Sequence, residues 1–220
     1  MFSSDIFLMM GQGFLESLYM TLVSTLVAYL IGVPIGLFLV VTDANGLKPN
    51  PAANTIVGGI VNLLRSVPFV ILMVTVTPLA RLIVGTGIGS SATIVSLVIA
   101  AAPFVARMVE SSVNEVDRGV VEASISMGAS PMQVVCRVLL PEAVPSLIVG
   151  AAIATTTILG YSAMAGFVGG GGLGTIATNY GYYRKRYDIM LAMVVLLVLI
   201  VQVFQGVGTA IAKKSDKRIR

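Results

Sequence analysis

The 220-residue sequence has no histidine and no tryptophan, a single cysteine, and charge at only 11% of its positions. Each shortage excludes something. Without histidine, no Ser-His or Cys-His catalytic pair can form within the chain. The lone Cys136 can make neither an internal disulfide nor a multi-thiolate metal site. A soluble domain carries charge at about a quarter of its positions, so this chain has too few polar residues to cover a water-exposed surface. The 56% hydrophobic content and mean hydropathy of +0.96 point instead to an integral membrane protein. The net charge of +4 raises nucleic acid as a partner. The basic residues form no stripe, however, and membrane topology explains their placement better. We therefore expect no nucleic-acid partner, no catalytic residue and no metal site.

Charge-poor stretches set out an all-α integral membrane protein with five transmembrane helices, at approximately 14–42, 53–80, 82–109, 141–165 and 187–212. Each is long enough, since roughly 20 apolar residues cross ~30 Å of hydrocarbon. The second contains Arg65, with Asn62 just before it, and reads as one helix in which Pro68 leaves the Leu64 carbonyl without its usual partner. Such a defect is tolerated where neighbouring helices or a wet cavity satisfy the backbone. An odd number of spans puts the termini on opposite sides. Lys48, Arg107, Arg118, Arg137 and the basic tail 213–220 belong on the cytoplasmic side, which leaves the N-terminus outside. The N-terminal stretch also lacks the basic region of a secretory signal. Arg184-Lys185-Arg186 then falls outside, against the rule.

Small residues recur at helical spacing: Gly32 and Gly36; Ala92, Ser96 and Ala100; Ser146, Gly150 and Ala154. Such stripes let helix backbones approach closely in lipid, either inside one bundle or at a subunit interface or pathway.

The segment 110–140 lies on the expected cytoplasmic side and is too charged to cross a bilayer. It is nevertheless structured. Residues 120–127 read as a short helix, and Gly128 stands where a helix end wants positive φ. Ser130-Pro131-Met132-Gln133 then reads as a new start, with Ser130 as N-cap, Pro131 in the first turn and Gln133 completing a capping box. Pro141 is expected to break this second helix and open the fourth span. Val121 and Ile125 share a face at i, i+4 spacing. That face either rests on the chain's own helix ends or docks into another protein.

Here the residues resemble a family. Glu122-Ala123-Ser124, three residues, Gly128, nine residues and Val138-Leu139-Leu140-Pro141 are similar to the EAA loop of ABC importer permeases. Ser124 stands for an alanine of that motif and Val138 for an isoleucine. Residues 160–174, Asn179-Tyr180-Gly181-Tyr182, Tyr187 and Arg65-Ser66-Val67-Pro68 resemble methionine-uptake permeases of that superfamily, so the likeness covers essentially the whole chain.

The resemblance implies a single permease domain over 1–220, in the bacterial inner membrane, with 110–140 as a cytoplasmic coupling-helix loop. In that family the loop sits in a cleft of a separate ATPase, so Glu122, Ala123, Ser124, Gly128, Ala129, Ser130 and Pro141 are the implied coupling residues. The implied assembly is a homodimer of permeases with two ATP-binding subunits beneath and an external substrate-binding lipoprotein. ATP and magnesium would be held by the partner ATPase, with no cofactor in this chain.

Five helices are few for enclosing an amino acid, and a symmetric pair would place the route on the twofold axis. Asn62, Arg65, Tyr161, Ser162 and Met164 are the candidate pathway residues, since a methionine side chain favours polarizable neighbours. Arg65 has two readings: a cation lining a gate or meeting a carboxylate in transit, or a side chain snorkelling to the interface. The string Gly169-x-Gly171-x-x-Gly174 matches a dinucleotide fingerprint but follows a membrane helix, and Thr175 stands where a P-loop needs Lys. It reads as a tight external loop or a contact for a binding protein. Alternatives to a methionine importer are a permease for another amino acid or small solute, and a stand-alone secondary transporter. The latter leaves the capped helix pair unexplained and lacks acidic residues within the clear spans.

Overall fold

The computed structural model describes residues 4–215, and every regular element among them is helical. Of the basic tail, only Lys213 and Lys214 fall within that range; the remainder lies outside the described residues. Helix α1 (Ser4–Thr42) begins well before position 14. It is followed by α2 (Pro51–Ser66), α3 (Phe69–Val84) and α4 (Ser90–Asn114). The short α5 (Arg118–Ser126) and α6 (Pro131–Val134) lead through a π-helical stretch, Val135–Leu139, into α7 (Leu140–Ala165). A 3₁₀ turn, α8 (Gly172–Ile176) and a second π stretch, Ala177–Tyr183, precede α9 (Tyr187–Ser215).

Among the described residues, four helical stretches are long and apolar enough to cross a bilayer: α1, α4, the run Pro131–Tyr183 centred on α7, and α9. The pair α2–α3 makes a fifth only if counted together across its bend. The expectation of one helix over 53–80 is therefore corrected. Each half has 16 residues, about 24 Å at 1.5 Å per residue, short of the hydrocarbon core. The break is chemical. Pro68 has no N–H to donate to Leu64, and its ring drives Val67 out of the helical region. The Ser66 hydroxyl meanwhile donates back to the Asn62 carbonyl at 2.8 Å. The helix resumes when the Leu72 N–H donates to the Pro68 carbonyl. The third span is also displaced from 82–109. Residues 82–84 complete α3, which ends on Gly85 at φ +77°, and α4 starts at Ser90. Composition alone does not register this stop, because the residues on both sides are apolar.

The chain divides into two compact units. The first comprises 4–27, 67–101 and 154–205. Its core joins Leu159, Leu173, Ile176, Ile189, Met193 and Ile200, with Phe14 and Leu18 packed against them. The second comprises 28–66, 102–153 and 206–215. There Gly32 and Gly36 let α1 approach α4 closely: a Cβ on Gly32 would stand 2.8 Å from the Ala102 carbonyl oxygen. This small-residue stripe serves internal packing. Asn54 fixes the start of α2 by donating to the Leu39 carbonyl at 2.7 Å and to the Thr42 hydroxyl at 3.1 Å.

Lipid exposure explains the remaining apolar surface. In the most apolar window of α4, 56% of residues are buried, against 17% in α9. α9 thus presents Leu191, Val195 and Leu199 outward, as lipid contact or another chain requires.

Candidate functional site

The segment after α4 folds into an elbow. Asp117 caps α5, its carboxylate accepting from the Gly119 N–H at 2.7 Å. The helix closes with Gly128 at φ +84°, a conformation that costs a non-glycine residue roughly 1–2 kcal/mol. There the Gly128 N–H donates to Ile125 and the Ala129 N–H to Ser124. The second arm starts with a reciprocal capping box. The Ser130 hydroxyl accepts from the Gln133 N–H at 3.4 Å, and the Gln133 side chain accepts from the Ser130 N–H at 2.8 Å.

Pro141 does not break the second arm, contrary to the sequence expectation. It lies in the first turn of α7, just after the π stretch, where the Leu140 N–H reaches back to the Val135 carbonyl. A proline ring collides with the carbonyl four residues earlier, and the wider π turn makes room for it.

The faces of the elbow differ. Val121, Glu122 and Ile125 line a cavity of about 610 Å³ with Asp43, Asn45 and Leu139, so the shared apolar face turns toward the chain's own turn after α1. Ser124 is buried, its hydroxyl spent on the Val120 carbonyl at 2.8 Å. Ala123 and Ser130 are exposed and Ala129 is half-buried. At the tip, Met127 and Met132 are 82% and 71% exposed. Two large apolar side chains held outward on a charged, well-capped element form a surface suited to a protein partner.

The expected pathway residues fall in both units, Asn62 and Arg65 in the second and Tyr161, Ser162 and Met164 in the first. Arg65 lies in the last turn of α2 and lines a cavity of about 310 Å³ together with Arg107 and Glu115. Asn62 is exposed, its carbonyl accepting from Ser66. In the first unit, Tyr161 stacks on Phe69 with ring centroids 4.7 Å apart. Met164 is half exposed, whereas Ser162 is buried and donates to the Leu159 carbonyl at 2.8 Å, which leaves its hydroxyl committed within the helix.

Sequence reasoning missed two polar anchors. Arg107 donates to Glu110 at 2.7 Å and to the Gly58 carbonyl at 3.1 Å, tying α4 to α2. Glu16 accepts from the Gly172 N–H at 2.7 Å, and Ser17 accepts from the Leu173 N–H at 2.9 Å, so α1 caps the start of α8 from across the sequence. The glycine run is correspondingly crowded: a Cβ on Gly171 would stand 2.7 Å from the Ser90 hydroxyl oxygen. Its glycines serve close packing. Among the described residues, no group of three or more His, Cys, Asp or Glu is placed to hold a metal ion.

Comparison with known proteins places this architecture. Residues 32–220 match the family described as binding-protein-dependent transport system inner membrane component. The chain belongs to that family. Among its relatives is the probable D-methionine transport system permease protein MetI of Vibrio cholerae, 47% identical over 92% of this chain and 90% of the relative. The D-methionine transport system permease protein MetI of Escherichia coli K12 is 49% identical over 70% of this chain and 71% of its own. A chain of the MetNI methionine ABC transporter, solved in inward-facing conformations, superposes with a TM-score of 0.96 at 44% identity, covering 98% of this chain and 100% of that one. The chain is thus an inner-membrane permease of the ABC importer type.

Proposed function

We infer that this permease forms the translocation pathway for methionine in an ATP-driven importer of the bacterial inner membrane. Its nearly full-length similarity in sequence and fold to a methionine transporter chain is the observation that carries the reading. Two permease chains would pair around a common axis, each supplying half of the route. Two ATP-binding subunits, which hold ATP and magnesium and perform the hydrolysis, would dock on the elbows from below. An external binding protein would deliver substrate from the opposite side. The N-terminus lies outside and the C-terminus in the cytoplasm.

The elbow is built for force transfer. Glu122, Ala123 and Ser124 lie on α5, Gly128 and Ala129 make the bend, Ser130 caps the second arm, and Pro141 sits where that arm enters α7. A rigid, capped element joined to a long membrane helix passes a displacement on rather than absorbing it. ATP drives the inward-to-outward change only as far as it binds one state better than the other. Asn62, Arg65, Tyr161, Ser162 and Met164 remain the proposed pathway set, with Ser162 shaping its helix rather than offering a free hydroxyl.

The test is reconstitution of the permease with its ATPase and binding protein in proteoliposomes, followed by uptake of radiolabelled methionine with other amino acids as competitors. ATP-dependent methionine uptake is expected. Preferential uptake of a different solute, or uptake by the permease alone under an ion gradient, would overturn the reading.

A further inference from the structure

Within the second unit, two cavities of about 450 and 310 Å³ share the lining residues Ser112, Glu115, Ser146 and Val149. The smaller has a distinctive charge arrangement. Arg107 donates through Nη1 to Glu110 and through Nη2 to the Gly58 carbonyl, and only its buried Nε is left without a partner. Arg65 and Glu115 both line the cavity, yet among the described residues neither has a hydrogen-bond or ion-pair partner. Glu142 and Lys213 line only the larger cavity. A free cation and a free carboxylate that share a cavity without pairing match a ligand carrying both charges.

We propose that Arg65 and Glu115 form an inner transit site for the zwitterionic head group of an α-amino acid, a reading that rests on the importer assignment above. The guanidinium suits a carboxylate through two parallel hydrogen bonds, and the Glu115 carboxylate suits the α-ammonium. Phe104, Met108, Val149 and Ile153 give part of the wall the apolar, polarizable character that a thioether side chain favours, beside the hydroxyl-bearing Ser111, Ser112 and Ser146. The site is also placed to release its ligand. Glu115 precedes the first residue of α5, Arg118, by only three positions. Movement of the elbow shifts the ammonium partner relative to Arg65 on α2, and separating the two halves of the site weakens its grip on the zwitterion.

The experiment uses the nucleotide-free complex of permease and ATPase in nanodiscs, with Cys136→Ser and Val149→Cys, and follows the rate of maleimide labelling at position 149. Methionine should slow labelling about threefold at twice its half-saturating concentration. Methioninol, which lacks the carboxylate, and N-acetylmethionine, which lacks the ammonium, should each require about tenfold more ligand for the same protection, the loss of one charge-assisted contact. Arg65→Gln should weaken methionine to the level of methioninol without changing methioninol. Glu115→Gln should do the same with respect to N-acetylmethionine. If Val149→Cys prevents assembly, Ile153→Cys gives the same readout. Absence of protection by methionine, or equal protection by all three compounds, would overturn the site. Methionine uptake by the wild-type complex, measured alongside, reports on the importer reading separately. Uptake without protection leaves that reading intact while removing this site. Charge-selective protection without uptake supports the site and removes the methionine importer.

Discussion

Two glycine turns in this permease use the same residue for different ends. Gly128, at the elbow, has φ +84° and nothing within 4 Å of where a Cβ would be. Gly171, in the run before α8, has φ +88° and would place a Cβ against the hydroxyl of Ser90 and the carboxylate of Glu16. At the first, glycine supplies only backbone freedom, and the surrounding space stays open. At the second, glycine also lets backbone and side chains close in. The elbow turn therefore keeps open space around its glycine, while the space beside Gly171 is occupied by the chain itself.

Substitutions should separate the two turns, starting with the largest effect. Gly174→Val drives a branched side chain into the backbone of Ala163. The overpacking cost, about 3 kcal/mol or more, should abolish recovery of monodisperse protein from detergent. Gly128→Pro should leave the permease extractable, because the turn is exposed, yet lower ATPase stimulation by substrate-loaded binding protein by about tenfold, since proline cannot adopt the required φ. Retained stimulation would contradict the role assigned to the elbow. Replacing Glu16 by Ala removes the acceptor of the Gly172 N–H, and loss of this charge-assisted contact should cost about 1.5–3 kcal/mol, read as a lower melting temperature in detergent with coupling preserved. Ser130→Ala removes one cap, worth about 1 kcal/mol, and should appear as faster hydrogen exchange at the Gln133 amide without loss of the fold.

The same contrast shows what the sequence makes legible. The elbow is readable because its determinants are local: Ser130 and Gln133 are three residues apart, and Gly128 stops a helix that ends beside it. The break at Val67-Pro68 was visible as a defect but not as a stop, since a hydrophobic window averages across it. Glu16 bonding Gly172 and Arg107 bonding the Gly58 carbonyl depend on chain segments far apart in sequence, and no spacing rule connects them. Glu115 carries no signal either: nothing in its sequence surroundings distinguishes it from the other carboxylates of 110–140, and only the cavity shows it beside Arg65.

The π stretch Val135–Leu139 has one more consequence. A π turn takes in more residues than an α turn, so the angular phase of side chains slips between α6 and α7. Counting by 3.6 residues from Gln133 into the long helix lands on the wrong side. Any helical wheel drawn across this joint is out of step by about one residue, and deleting one residue within 135–139 would turn the joint into a regular α-helical turn while leaving α7 close to its present orientation about its axis.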